Sequence, residues 1–241
     1  MSTLTRQDGD FLQRIRPLLG EQGVERLRLL RVIVLGVGGV GSWCAEALVR
    51  SGVGSLTLVD PDRVSPSNIN RQLPALSSTL GRLKVEVMRE RLLDINPEAS
   101  VLALPLRYTS ETASQLRLEA YDYVVDAIDT LSDKAALILH ATSLTASKGS
   151  PLLVSSMGAG RRTDPTQVRV ADFWKVQGDP LAALLRKRFR HNATLPQSPF
   201  QCAYSLELPK EASPERHPLN ASLCPVTATF GMALASLIIK V

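Results

Sequence analysis

Apolar and polar residues alternate along this chain with a period that switches repeatedly, and each switch marks an element. "RVIVLG", residues 31–36, is a continuous apolar run closed by glycine, as in a central parallel strand buried on both faces. "GVGGVGSWCAEALVRSG" then opens a helix on a glycine turn and ends it near Gly52. "SLTLVD", "SVLALPL", "YVVDAID" and "PLLVSSMGAG" repeat the strand pattern. "GRLKVEVMRERLLDINP", residues 110–120 and "DKAALILHATSLTASKG" read as helices between strands, the first stopped by Asn96-Pro97. Residues 10–30 read as a basic helix with Leu18, Leu19, Val24, Leu27 and Leu30 as its apolar positions.

Strand–helix alternation of this kind predicts an α/β fold with a doubly wound, mostly parallel, Rossmann-like sheet. Beyond residue 160 the rhythm breaks. "DPTQVRVADF" reads as a strand leaving the sheet, and "DPLAALLRKRFR" as a short helix started by Asp-Pro. Residues 192–220, rich in Pro and Ser, read as a C-terminal crossover loop interrupted by an extra strand at "CAYSLEL". "VTATFGMALASLIIKV" is apolar but shorter than the ~20 residues of a membrane span, so it reads as a buried helix or a helix plus strand; a membrane anchor is the weaker reading. The chain is expected to form a single domain, 1–241, with a nucleotide-binding core at 30–160 and a substrate, crossover and dimer region at 161–241.

Composition changes the picture little. At 241 residues and 44% hydrophobic, the chain can bury a sizeable core. A net charge of +5 leans mildly toward an anionic partner. The three cysteines, Cys44, Cys202 and Cys224, form no CxxC pair, which excludes a four-thiolate zinc site and fits a reducing, cytoplasmic compartment. "MSTLTRQDGD" lacks the apolar centre of a signal peptide.

The chemistry concentrates at strand ends. Gly36, Gly38 and Gly41 spell GxGxxG between a strand and a helix, where backbone N–H groups and the helix dipole receive a phosphate. Asp60, about 20 residues on, suits ribose hydroxyls. A nicotinamide enzyme needs no more than that acid, yet "DPDRVSPSNINRQL" adds Asp62, Asn68, Asn70, Arg71 and Gln72. Arg71 offers a donor fork for phosphate, Lys84 opens the next helix within reach of the same anion, and Asp129 at the end of the fourth strand suits Mg²⁺. Each also has a plain structural role: Asn70 in a turn, Arg71 and Lys84 as solvated surface, Asp129 as a helix cap.

"GVGGVGS", "DPDRVSPSNINRQ", "GRLK" and "DAID" together resemble the adenylation core of the ubiquitin-activating-enzyme superfamily. The resemblance implies that Gly39 and its glycine neighbours line the phosphates of ATP and that Asp60 binds ribose. It further implies that Asn68, Asn70 and Arg71 contact ATP, that Lys84 stabilises charge at the α-phosphate, and that Asp129 holds Mg²⁺. Arg71, Lys84 and Asp129 are thus the expected catalytic residues. It also implies a homodimer, with Arg14 or Arg16 reaching the other subunit's ATP, and a sulfur-acceptor or cysteine desulfurase system as a further partner. "GAGRRTDPTQVRVADFWKVQGDPLAALLRKRFR" and "CAYSLE" resemble the branch that dehydrates threonylcarbamoyladenosine in tRNA. That branch implies tRNA as partner and an ATP-dependent cyclisation through an acyl-adenylate. Arg161, Arg162, Arg186, Lys187, Arg188 and Arg190 are then candidate phosphate contacts, against the alternative of a solvated helix face. Phe189 and Trp174 are candidates to stack on a base, with core packing the stronger expectation for Trp174. His140 reads as a satisfied core histidine, and no cysteine is assigned a catalytic role. The competing branch activates the C-terminus of a ubiquitin-like sulfur carrier; it usually carries paired CxxC motifs, which this chain lacks.

Overall fold

The computed structural model describes residues 11–210 and 221–240. Seven strands form one sheet: β1 (Arg31–Leu35), β2 (Ser55–Val59), β3 (Ser100–Leu104), β4 (Tyr123–Asp126), β5 (Leu152–Ser156), β6 (Val168–Asp172) and β7 (Gln201–Ser205), in the spatial order β3-β2-β1-β4-β5-β7-β6. All pairings are parallel except β6 with β7. Among the described residues six helices cover the sheet: α1 (Arg16–Leu29), α2 (Gly41–Arg50), α3 (Lys84–Ile95), α4 (Leu131–Lys148), α5 (Pro180–His191) and α6 (Cys224–Ile239).

The apolar run of β1 is explained by its central position. Val32 and Val34 join the core formed with α2, α3 and α6, whereas Ile33 and Leu35 join the core formed with α4 and α5. The chain winds one way from β1 through β2 to β3, then crosses to β4 on the other side of β1. This reversal leaves a crevice beyond the C-terminal ends of β1 and β4, where doubly wound sheets receive ligands.

Several expectations change. The stretch 110–120 is two short 3-10 turns, Ala113–Leu116 and Leu118–Ala120, split by Arg117 in the left-handed region (φ 45°). β6 does not leave the sheet; it returns antiparallel along β7 as the edge strand. β7 is no loop interruption either, because it pairs with β5 and extends the sheet beyond the nucleotide core. α1 breaks at Gly20 (φ 68°), which leaves Leu18 82% exposed, while Val24, Leu27 and Leu30 are buried as expected. Residues 211–220 of the expected crossover loop lie outside the described residues.

α6 resolves the apolar C-terminus as one helix that buries Val226, Phe230, Leu234 and Ile238 at helical spacing. Gly231 sets its position. A Cβ there would lie 2.5 Å from the Val40 carbonyl oxygen and 2.8 Å from Cβ of Trp43, so α6 crosses directly over the start of α2. Among the described residues no helix is long and apolar enough to cross a membrane.

Candidate active site

A cleft of about 480 Å³ opens at the sheet's C-terminal edge. That size suits a small organic ligand. One wall is the glycine loop. Gly36 (φ +91°) and Gly41 are there for the chain's own packing: a Cβ on Gly36 would lie 2.6 Å from the Ala127 carbonyl oxygen, and one on Gly41 1.8 Å from that of Gly36. Gly38 and Gly39 instead present bare backbone to the cleft, where the only atom near a Cβ on Gly38 would be Nε2 of Gln72, 3.7 Å away. Gly36 also lines the cleft; Gly41 does not.

Asp60 clasps this loop to the end of β2. It is 6% exposed, and its carboxylate accepts from the Val37 N–H at 2.7 Å and the Asp62 N–H at 2.8 Å. Burial holds its pKa above the usual aspartate value, against the opposing pull of Lys84 and of the two N–H donors. Each oxygen keeps a lone pair for a ligand hydroxyl. Lys84, nearly buried at the first position of α3, bonds Oδ2 of the largely exposed Asp62 at 2.8 Å. An ammonium so placed can exchange a solvated carboxylate for a phosphate while staying in position.

Arg71 lies along the rim. Its Nη1 donates to the Ser67 carbonyl at 2.9 Å and to Oδ1 of Asn70 at 3.0 Å, and its own carbonyl accepts from the Trp43 indole N–H at 3.1 Å. The fork is thereby aimed and its backbone fixed. Gln72 beside it lines the cleft, and among the described residues its buried amide oxygen has no hydrogen-bond partner. Buried polar atoms of native proteins are normally paired, so this oxygen is an acceptor open to a donor in the cleft.

Asp129 is exposed and lines the cleft, three residues past the end of β4. It does not cap α4, whose N-cap is Thr130 and receives no side-chain bond. The acid that ends β4 is Asp126. It is fully buried and pairs with the equally buried Lys134 at 2.8 Å. Lys134 also donates to the Ile128 carbonyl at 3.0 Å, and Asp126 accepts from the Ser155 hydroxyl at 2.6 Å and the Ile128 N–H at 3.1 Å. Together these bonds fix the loop that carries Asp129. Among the described residues no group of three or more His, Cys, Asp or Glu side chains could hold a metal ion, so a metal at Asp129 needs ligand oxygens as well.

Comparison with known proteins identifies the family and the fold. The ThiF family matches residues 12–241. The chain belongs to that family. It is 48% identical over 172 residues to the tRNA threonylcarbamoyladenosine dehydratase of Bacillus subtilis, covering 71% of this chain and 66% of the relative. It is 41% identical over 208 residues to that of Haemophilus influenzae, covering 86% of this chain and 77% of the relative. The matched segments therefore span 66% and 77% of these relatives' own length. The crystal structure of Escherichia coli tRNA N6-threonylcarbamoyladenosine dehydratase in complex with ATP superposes with a TM-score of 0.81 at 38% identity, over 93% of this chain and 90% of that one.

Within this ThiF-family fold the predicted site residues separate. Gly36, Gly38, Gly39, Asp60, Asp62, Arg71, Lys84 and Asp129 line the cleft; Asn68 and Asn70 do not. Asn68 is buried, accepting from the Ser65 N–H at 3.1 Å to close a turn. Asn70 donates to the Ser222 carbonyl at 2.9 Å, tying the loop to the segment before α6. Arg14 and Arg16 lie off their own chain's cleft, Arg14 exposed and Arg16 ion-paired with Glu21.

The opposite wall runs from Ser156 to Arg162 and continues with Pro180, Leu181 and Leu184 of α5. Arg161, exposed, lines it; Arg162, 2% exposed, supports it by pairing with buried Asp179 at 2.9 Å and donating to the Glu207 carbonyl. Asp179 also accepts from the Ala182 N–H at 2.9 Å, capping α5, and from the Gly158 N–H at 3.1 Å. Arg162 is therefore not available to a nucleic acid. Arg186 is partly spent too, donating to the Phe173 and Val176 carbonyls at 3.0 and 2.8 Å. Phe189 is buried, whereas Trp174 is 40% exposed, the reverse of the expectation for Trp174. His140 meets the Tyr108 hydroxyl at 3.1 Å, and burial lowers its pKa. Cys44 and Cys202 are buried, Cys224 half-buried, and none lines the cleft.

Sequence reasoning missed Lys134 and Asp126. The signal was present: an acid at the end of the apolar run "YVVD" and a lysine at the head of "KAALIL". Charges in apolar runs must be paired when buried.

Proposed function

We propose that this chain uses ATP to dehydrate threonylcarbamoyladenosine in tRNA, closing the threonylcarbamoyl side chain into a ring. The observation that carries the reading is a single rim bearing bare glycine backbone, an aimed arginine, a lysine with an exchangeable partner and an exposed carboxylate. The dehydratase of known structure, at 38% identity, was crystallised with ATP.

The chemistry follows from the groups. A carboxylate is a poor electrophile because its leaving group would be oxide. Its oxygen attacks the α-phosphorus of ATP, the bond to the β-phosphate oxygen breaks, and pyrophosphate leaves. The ureido oxygen of the same side chain then attacks the acyl carbon and AMP departs, carrying away the carboxylate oxygen. A ureido proton is given up, so the net change is one water lost. The second step is intramolecular, so holding the chain bent lowers its barrier by several kcal/mol (about 7 in well-oriented cases).

The protein's task is to let two anions meet. Lys84, on releasing Asp62, and Arg71 offset charge on the phosphates, and the N–H groups of Gly38 and Gly39 add fixed dipoles that need no reorganisation. Asp60 offers its remaining lone pairs to ribose. Asp129 and phosphate oxygens would hold Mg²⁺, whose charge would further neutralise the phosphates. No nucleophilic side chain is required. Three free cysteines suit a reducing, cytoplasmic setting. A homodimer would allow Arg14 or Arg16 to complete the partner's cleft. Mixing Arg14→Ala or Arg16→Ala protein with Lys84→Met protein would then restore activity that neither has alone.

The deciding experiment incubates the chain with MgATP and tRNA bearing the open threonylcarbamoyl group, followed by mass spectrometry of the nucleosides. Loss of one water supports the reading. Absence of that loss, with pyrophosphate exchange driven instead by a small carrier protein ending in Gly-Gly, sinks it.

A further inference from the structure

The basic helix α5 starts in the cleft and leads away from it. Pro180, Leu181 and Leu184 line the cleft, and Lys187, Arg188 and Arg190 follow on exposed positions within about 9 Å of helix axis. Residues 180–191 contain no acid, and among the described residues none of these three cations is ion-paired. Arg186, Lys187, Arg190, His191 and Ala183 border an open groove of about 530 Å³ on the same helix.

Beside this run stands Trp174. Its indole is 40% exposed, braced edge-on by buried Phe173 at 5.1 Å between centroids. The Arg190 guanidinium carbon lies 5.8 Å from its ring centroid. Compensation of the helix dipole accounts for cations in a last turn. It does not account for a large aromatic ring left in solvent beneath one of them. Flat exposed aromatic and guanidinium surfaces flanked by unpaired cations match the chemistry of single-stranded RNA, whose bases stack and whose phosphates take up Lys and Arg.

We infer that the exposed face of α5 and Trp174 form the docking surface for the RNA strand flanking the modified adenosine. Lys187, Arg188 and Arg190 hold phosphates, and Trp174 stacks on a neighbouring base. The inference rests on the reading of this chain as a tRNA-modifying enzyme, and assigns the RNA to one face of it.

The test measures dehydration and filter binding of tRNA bearing the open threonylcarbamoyl group, for the natural chain and for the Lys187→Ala/Arg188→Ala/Arg190→Ala triple variant. Melting temperatures establish that the variant is folded. The expected result is a KM for tRNA raised about tenfold or more, an unchanged KM for ATP, and a slope of log affinity against log salt smaller by about 2, since each single-strand phosphate contact contributes ~0.7. Trp174→Phe separates stacking from charge: tRNA is expected to quench the natural chain's tryptophan fluorescence, and this variant should lose most of the quench. If the natural chain works on tRNA while the triple variant keeps its KM and salt slope, the docking surface is elsewhere and the proposed activity stands. If the natural chain neither binds nor dehydrates tRNA, both fall together.

Discussion

Two sets of charged side chains stand within a few residues of one another and meet opposite fates. One set faces the cleft: Arg71, Lys84, Asp129 and Arg161. The other is buried in two ion pairs, Asp126 with Lys134 behind the cleft and Asp179 with Arg162 within its far wall, each group at most 2% exposed. Asp126 and Asp129 belong to one tetrapeptide, and Arg161 and Arg162 are adjacent. The lining set keeps weak or exposed partners and so can take up a ligand. The buried set has every strong partner it needs, and its effect is to fix the loops on which the first set stands. A buried pair contributes little net stability, but removing one partner is costly because an uncompensated charge stays behind.

This contrast is most directly broken by Arg162→Met. Stranding the Asp179 carboxylate is expected to cost about 3–5 kcal/mol, a fall of roughly 6–20 °C at 2–4 °C per kcal/mol. Thermal melting checks it, and Arg162→Met with Asp179→Asn should recover part of the loss. Equal melting of the single variant and the natural chain would mean that the pair is not sealed.

Lys84→Met tests the other set. Its ion-pair partner Asp62 is largely exposed, and buried Asp60 loses only the pull of Lys84 while keeping its two N–H donors, so the melting temperature should fall by less than in Arg162→Met. Steady-state kinetics should show kcat/KM lower by about 10²–10³-fold, the scale for losing one preorganised donor at developing charge.

Asp129→Asn against Asp126→Asn sharpens the comparison within four residues. The first is expected to lower turnover about tenfold or more, a barrier change of ~1.4 kcal/mol, with melting unchanged. The second should lower melting, because Lys134 is left buried beside a neutral amide.

The smallest effect concerns Glu46, which is intermediate between the sets: 6% exposed, but held by Arg50 and Arg91 from the surface. Burial by itself would raise its pKa; the hydrogen bonds and charges of Arg91 and Arg50 outweigh it, leaving it below the ordinary 4.5. A lowered folded value means that this stability is present above pH 4.5 and lost as pH falls through the folded value. Melting curves of Glu46→Gln should therefore lie below those of the natural chain at neutral pH and converge with them in acid.

Much of this was legible in the chain. The cleft positions of Gly36, Gly38, Asp60, Arg71 and Lys84 were readable because each follows closely on the end of a strand or opens the next helix. α5 was readable from Asp179-Pro180, and the cap is there. The misreadings share a cause. β6 and β7 looked like departures from the sheet because their partners are distant in sequence, and an edge strand has no local mark of its own. Asp129 was read as the strand end, and Arg161 with Arg162 as one basic pair, because spacing does not say which neighbour turns inward. Trp174 was expected in the core on hydrophobicity alone.

The sequence by itself determined the winding of the sheet and the edge at which its cleft would open, since both depend on periodicity and on residues close together along the chain. Only the tertiary structure decided which charges face that cleft and which are consumed in holding the walls. That choice depends on what lies across the cleft or beneath a loop: Asp179 under Arg162, Lys134 beside Asp126, open solvent in front of Trp174. Burial and pairing are properties of three-dimensional neighbours, and they divide otherwise identical residue types into those that bind and those that support.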